Sequence, residues 1–460
     1  MKNVLLLIID DVGIDQLSCY NDQNRYSDPL GYPYAYTPNI DRLVASGLRF
    51  NQYRTTPVCS PARASILTGK YSFENAVGHV IKDRVEENGF TEFNVSPSPS
   101  SVTLPDAFTG FSFAVGKWHL GVDAAYSGTM DNHPTDSIHF DKWSGTPRNI
   151  DVGGPPTTSG YPSSYYNYWW VDNKVRHQVV GKYATEQTAD KVIDFITAAT
   201  GQWFGYVAFN ASHAPFTLPN DYHGFGSTVP TAYFCTRFRA MLENLDYHIG
   251  RIIDTVDSNT YIILVSDNGT SNIIFDMGIS EPRYPIGHPL YIAGDDNKVF
   301  DASPYDITHF KQSVYEGGVR CPLIITGPNI SSGVREQLVD VVDLYPTIAR
   351  MLGAQVPRTN ALPINRFFNP INANRHLRKF STCQYFRPNG LLPQSEYEFY
   401  HAYYIDMTTN GKFKFIHKIV SGVQSYQFYN LDVDPLETSP LPVSGQQFQH
   451  ALAGYSGLVY

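Results

Sequence analysis

Cysteine is scarce in this chain. Five occur in 460 residues (Cys19, Cys59, Cys235, Cys321 and Cys383), and no two stand in C-x-x-C spacing. That pattern excludes a zinc knuckle and a disulfide scaffold, and the odd count leaves at least one thiol free. Long apolar runs are also missing. Val4–Ile9 is too short for a signal-peptide core and leads straight into Asp10-Asp11, and no other run approaches the ~20 residues that cross a bilayer. These residues read as a soluble cytoplasmic protein that does not engage a membrane, or a periplasmic or secreted one if an export sequence precedes them. Charge is sparse as well: 17% of residues, with acids in excess for a net −9. A general nucleic-acid surface is thereby excluded, and an anionic ligand needs cations placed locally against that field.

What the chain does have is a globular complement of apolar residues (42%) and many aromatics, with 32 Tyr and 27 Phe. Those numbers suit a thick core or an aromatic-lined cleft. Val4–Ile9 is continuously aliphatic, as a strand buried on both faces of a parallel sheet must be. Phe111–Val115, Trp203–Phe209, Tyr261–Val265 and Pro322–Thr326 read as further strands. Thr37–Gly47 carries an N-cap threonine, proline at the first helical position and a closing glycine. Tyr183–Ala199 and Ala232–Val256 show helical apolar periodicity, and Leu338–Leu352 reads as a last helix of the main unit. Asn94–Ser101 is a Ser/Pro linker. Asp123–Val180 is irregular, with the aromatic run Tyr161–Trp170 mostly covering the core edge. Alternating runs at Glu398–Ile405, Lys412–Ile419 and Tyr426–Leu431 suggest a small antiparallel sheet. The expected fold is α/β: a large, mixed, mostly parallel sheet sandwiched by helices over residues 1–360. Residues 361–460 form a smaller C-terminal α+β subdomain with the antiparallel sheet.

Polar residues collect where those strands end. Asp10 and Asp11 follow the first strand, Lys117 and His119 lie in the Gly-bounded turn after Phe111–Val115, His213 follows Trp203–Phe209, and Asp267 and Asn268 follow Tyr261–Val265. In open α/β sheets this edge binds ligands. Adjacent carboxylates repel unless a cation lies between them, and hard oxygen donors favour calcium or magnesium over zinc. Cys59 stands at or before a helix start, with Arg63 one turn on, the setting of a reactive cysteine. With Lys311 at the same rim, the residues describe a metal-assisted hydrolase of a tetrahedral oxyanion ester, sulfate or phosphate.

Cys59-Ser60-Pro61-Ala62-Arg63, followed by Leu67-Thr68-Gly69-Lys70, resembles the C-x-P-x-R motif of the formylglycine-dependent sulfatases, within the alkaline-phosphatase-like superfamily. The match extends in family order through Thr37–Gly47, which precedes this motif, and Gly116–Gly121, Ser212–Phe216, Asp267–Gly269 and Lys311–Pro322, which follow it. It finishes at Phe428–Asp432 and Asp434-Pro435-Leu436-Glu437. The resemblance implies that a formylglycine-generating maturation enzyme oxidises Cys59 to formylglycine, whose hydrate is the nucleophile. It implies one calcium ion per chain, held by Asp10, Asp11, Asp267 and Asn268 with residue 59 close by. Arg63 would hold the hydrate, Lys117 and Lys311 the sulfate oxygens. His213 would assist departure of the alcohol, and His119 would take a proton from residue 59 as sulfate leaves. The implied substrate is an aryl or carbohydrate sulfate, small molecule or saccharide.

The nearest competing reading is a phosphonate monoester or phosphodiester hydrolase of the same superfamily. Those relatives tend to carry histidine where this chain has Asn268. A non-catalytic scaffold would ordinarily have lost one of these residues, and each is present.

Overall fold

The computed structural model describes residues 2–21, 34–81, 102–121, 133–150, 164–172, 174–220, 234–275, 305–306, 308–369, 378–387, 389, 398–407 and 411–459. The Asn94–Ser101 linker, Gly153–Pro156 and the start of the Tyr161–Trp170 run lie outside them.

Ten strands form one sheet: β1 (Asn3–Ile9), β2 (Leu48–Arg54), β3 (Phe111–Gly116), β4 (Lys142–Gly145), β5 (Asn167–Asp172), β6 (Val175–Val180), β7 (Trp203–Ala208), β8 (Thr260–Ser266), β9 (Leu323–Thr326) and β10 (Gly333–Asp340). Their order is β10-β2-β9-β8-β1-β7-β3-β4-β5-β6. The strand β1 runs parallel to both neighbours, so that Leu5 faces Gly205 on β7 and Ile262 on β8. β3 is parallel to β7 and β4, whereas β9 is antiparallel to β2 and β8.

Successive side chains of β1 enter opposite layers, as strand geometry requires. Val4, Leu6 and Ile8 pack with Ile66 and Leu67 of α2 (Cys59–Thr68) and Ile348 of a later helix, Leu344–Leu352. Leu5, Leu7 and Ile9 pack with Ile40 of α1 (Pro38–Ser46), Val192 of α3 (Ala184–Ala198) and Leu242 of α4 (Phe234–Ile253). All six aliphatic residues are fully buried, each contributing about 1.5–3 kcal/mol of transfer free energy. The central strand is thereby pinned from both faces.

Helix α1 starts where the sequence places it, but Thr37 makes no side-chain cap. Asp246 of α4 does that work instead: its carboxylate accepts the amides of Asn39 (3.0 Å) and Ile40 (2.8 Å). The run Leu338–Leu352 is corrected: its first residues complete β10, where Val339 pairs with Tyr53 and Asp340 with Arg54. A reciprocal box between Asp340 and Asp343 then turns the chain into α5 (Leu344–Leu352). An apolar run of this length fits strand or helix, and the free edge of β2 decides it. The stretch Asp123–Val180 is more regular than expected, for it contains β4 and the β5–β6 hairpin at the sheet edge. Its aromatics do cover the core: Tyr165, Tyr168 and Trp170 are buried, and Tyr166 and Trp169 partly so.

The second sheet is antiparallel, in the order β11 (Phe380–Arg387), β12 (Glu398–Met407), β13 (Gly411–Val420), β14 (Val423–Asn430). One face carries Phe413, Phe415 and Phe428 against Phe448 and Tyr455 of α6 (Gln446–Val459). Ile416, Tyr429 and Leu431 pack with Val58, Val314 and Val319 of the main unit. The small sheet therefore lies directly behind the turn that presents Cys59.

Candidate active site

Four neighbouring parallel strands deliver the site. Asp10 and Asp11 leave β1, Lys117 and His119 leave β3, His213 follows β7, and Asp267 and Asn268 leave β8. Backbone bonds lock the strand ends together: Ser212 N–H donates to Asp10 O (3.0 Å) and Lys117 N–H to Ala208 O (2.7 Å). The second of these needs Gly116, whose φ is +92° and whose Cβ would lie 2.1 Å from Ala208 O. Asp11 and His119 also hold positive φ, 60° and 57°, a cost of about 1–2 kcal/mol each for residues with a side chain.

Cys59 is the first residue of α2 and only 1% exposed. Its Sγ lies 3.6 Å from Asp10 Oδ1 and 3.5 Å from Lys117 Nζ. Arg63, fully buried, turns to the acids: Nη2 donates to Asp267 Oδ2 (2.7 Å) and Asp10 Oδ2 (3.1 Å), and Nη1 to Lys117 O (2.8 Å). Lys117 Nζ donates to Asp10 Oδ2 and Lys311 Nζ to Asp11 Oδ1 (2.6 Å). Three carboxylates thus face three cations, all ten candidate residues except His213 and Lys311 being buried, and those two partly so.

Histidines occupy two flanks. His213 Nδ1 contacts Ala214 O at 2.7 Å, leaving Nε2 toward the cleft, 3.9 Å from Asp11 Oδ2 and 3.2 Å from Asn149 Nδ2. Tyr165, unassigned by the sequence, fixes that loop by donating its hydroxyl to Asn210 O (2.6 Å) and His213 O (2.8 Å). Asn149 and Tyr165 were invisible as site residues because only the folded loops bring them to His213. His119 is buried, and its Nδ1 has no hydrogen-bond partner among the described residues.

The electrostatics follow from burial against this charge pattern. Burial, with the Asp10 and Asp267 carboxylates, pushes the Cys59 thiol well above its usual range. Burial acts to raise Asp11 too, but Lys311 and His213 outweigh it and hold the carboxyl below its ordinary value. Burial opposes the charge on Lys311, yet Asp11 and the neighbouring acids raise its ammonium above the lysine norm. Burial and the nearby Lys117 and Arg63 hold His119 well below the ordinary histidine value, so it is neutral at pH 7.

The residues present fit a divalent cation. Asn268 donates Nδ2 to Asp11 Oδ1 (2.7 Å) and Gly269 O (2.9 Å), while its Oδ1 is buried without a hydrogen-bond partner among the described residues. A buried carbonyl oxygen left unpaired beside carboxylates matches a hard-cation ligand. The donor atoms of Asp10, Asp11, Cys59 and His213 lie within 4.8 Å of one another. Cys59 and His213 therefore adjoin the acids in space; with the thiol intact the set is softer than four oxygens.

A family model described as Sulfatase matches residues 2–354. The N-acetylgalactosamine-6-sulfatase of Homo sapiens is 26% identical over 99% of this chain and 84% of its own length. The match to the Sus scrofa form, 27% identical, spans 64% of that protein. Among solved structures, Ps i-CgsB in complex with k-i-k-neocarrahexaose superposes with a TM-score of 0.70 at 20% identity, over 99% of this chain and 92% of that one. The phosphonate monoester hydrolase of Agrobacterium radiobacter gives a TM-score of 0.60 at 17% identity, over 100% and 95%. At such identities these two likenesses concern the fold alone. Among the described residues, no helix is long and apolar enough to cross a membrane.

Proposed function

The chain belongs to the sulfatase family, and from that premise we propose that it hydrolyses a sulfate monoester of a carbohydrate or aryl alcohol. Residue 59, converted to formylglycine by a maturation enzyme and hydrated by water to a gem-diol, would supply a hydroxyl nucleophile where the buried thiol would be a poor one. Asp10, Asp11, Asp267 and Asn268 would hold one calcium ion, which would supply positive charge at the site. The observation that carries the reading is Cys59 itself: the head of α2 within C-x-P-x-R, in contact with Asp10 and Lys117.

This chain's own residues perform the remaining work. A sulfate monoester stays ionised at any physiological pH, so protonation cannot relieve its charge and fixed cations must. Lys117 and Lys311 are those cations, released from Asp10 and Asp11 when the ester enters. Arg63, held by two carboxylates and a carbonyl, orients residue 59. His213 keeps its Nδ1 against Ala214 O, so Nε2 is the atom that carries a proton to the departing alcohol. His119, neutral, accepts the proton of the second hydroxyl of residue 59 as the carbon–oxygen bond to sulfate breaks and the aldehyde re-forms. The main unit, residues 1–360, holds this chemistry, and residues 361–460 buttress it from behind.

A carbohydrate ester is favoured by the named activity of the human relative. The phosphonate monoester or phosphodiester reading raised by the sequence is the alternative in the test. Formylglycine-bearing enzyme is assayed against sulfated sugars, aryl sulfates, phosphodiesters and aryl phosphonates at matched concentration. Preference for a sulfate supports the reading; preference for a phosphonate by orders of magnitude overturns it.

A further inference from the structure

Behind the sulfate site lies a second, fully enclosed charge cluster: Arg54, Glu316, Lys414 and Glu437, each 3% exposed or less. Arg54 closes β2 on the approach to Cys59, and Glu316 opens the short helix Glu316–Val319 that follows Lys311. The Arg54 guanidinium grips Glu316 through Nη2–Oε2 (2.7 Å) and Nε–Oε1 (3.2 Å). From the small sheet, Lys414 of β13 reaches Glu316 Oε1 (3.1 Å) and Glu437 Oε1 (2.9 Å). Glu437 Oε2 accepts the Glu316 amide (2.5 Å). The same two active-site segments are tied by backbone: Gln312 N–H donates to Pro57 O and Thr55 N–H to Val319 O, both 2.9 Å.

Buried ion clusters add little net stability over an apolar filling of the same volume. What they do impose is geometry, because each bond is directional and each unpaired charge is costly. We propose that Glu437 and Lys414 are positioning residues for the sulfate site, acting through Glu316 and Arg54 to hold the Lys311 and Cys59 segments at a fixed separation. The kinetic consequence rests on the sulfatase reading; the geometric claim does not. Displacing Lys311 by a fraction of an ångström weakens its hold on the charge that grows as the ester bond breaks, so kcat suffers more than KM.

The test uses full-length protein at pH 8, above the titration of Glu437, whose carboxyl burial pushes up to about 7. Glu437→Gln and Lys414→Met each strand one buried charge; the double variant removes a matched pair. Singly, each lowers both the melting temperature and kcat. In the double, the melting temperature recovers while kcat stays down about tenfold with KM little changed. In a Lys311→Ala background the double variant has little further effect, since both act on one group. Hydrogen exchange gives an arm independent of turnover: the Gln312 amide exchanges faster in the double variant, while α4 is unchanged. Recovery of kcat together with the melting temperature overturns the proposal, as does an additive loss in the Lys311→Ala background. Unaltered exchange at Gln312 overturns it whether or not a substrate has been found. Wild-type protein inert to every ester would instead remove the sulfatase reading and leave the exchange result to decide the clamp.

Discussion

Replacing Lys311 with methionine should tighten calcium binding while removing turnover. Lys311 Nζ sits 2.6 Å from Asp11 Oδ1, with both side chains largely shielded from water (8% and 3% exposed). An ion arriving at Asp11 must displace that ammonium or tolerate it. At ~4 Å between charge centres and an effective dielectric of ~20 the Lys–Asp attraction is about 4 kcal/mol, which sets the scale of what binding forfeits. If a quarter to a half of that is lost, or about 1–2 kcal/mol, the methionine variant binds calcium about five- to thirtyfold tighter. Titration calorimetry on chelator-treated protein measures this, with Asp11→Asn as the weakened control. A thermal readout is also available: ion at a hundredfold its Kd adds about 2.7 kcal/mol. Divided by the unfolding entropy of a chain of 460 residues, that is a rise of about 3 °C in Tm. Unchanged or weaker calcium affinity in Lys311→Met would refute the reasoning, because it would mean the ion does not share Asp11 with this lysine.

Arg63→Ala leaves Asp10 and Asp267 buried without their shared partner and should cost about 3–5 kcal/mol of stability by denaturant titration; a loss under 1 kcal/mol would show that the carboxylates do not depend on it. Unconverted Cys59 should resist iodoacetamide at pH 7.5 while the more exposed Cys19 reacts, as peptide mass spectrometry can follow. Folding raises the Cys59 pKa, so its contribution to stability is present below the unfolded thiol value and lost above it. Unconverted protein should therefore lose stability past about pH 8.5 faster than Cys59→Ala does.

The residues legible in the sequence were those whose role is local. Continuous apolar runs marked β1, β7 and β8, and the polar residues immediately after them proved to share one rim. Strand β2 was illegible because Arg49, Asn51, Gln52 and Arg54 make it look like a loop. Its polar side chains are matched by distant ones: Asn51 and Gln52 meet Glu336, and Arg54 meets Glu316. The Asp246 cap on α1 was hidden for the same reason, since donor and acceptor are far apart in the chain. At the site, the sequence supplied the charged residues but not their pairing. Lys117 and Lys311, read as sulfate ligands, rest on the carboxylates assigned to the ion, an arrangement that follows from spatial proximity alone.

The central claim is that turnover belongs to an oxidised residue 59. The direct measurement plots sulfate ester turnover per chain against the fraction of residue-59 peptide whose mass has fallen by the difference between thiol and aldehyde, over preparations made with increasing amounts of a formylglycine-generating enzyme. The account predicts a straight line through the origin. Full activity in protein whose Cys59 is entirely unmodified would contradict it.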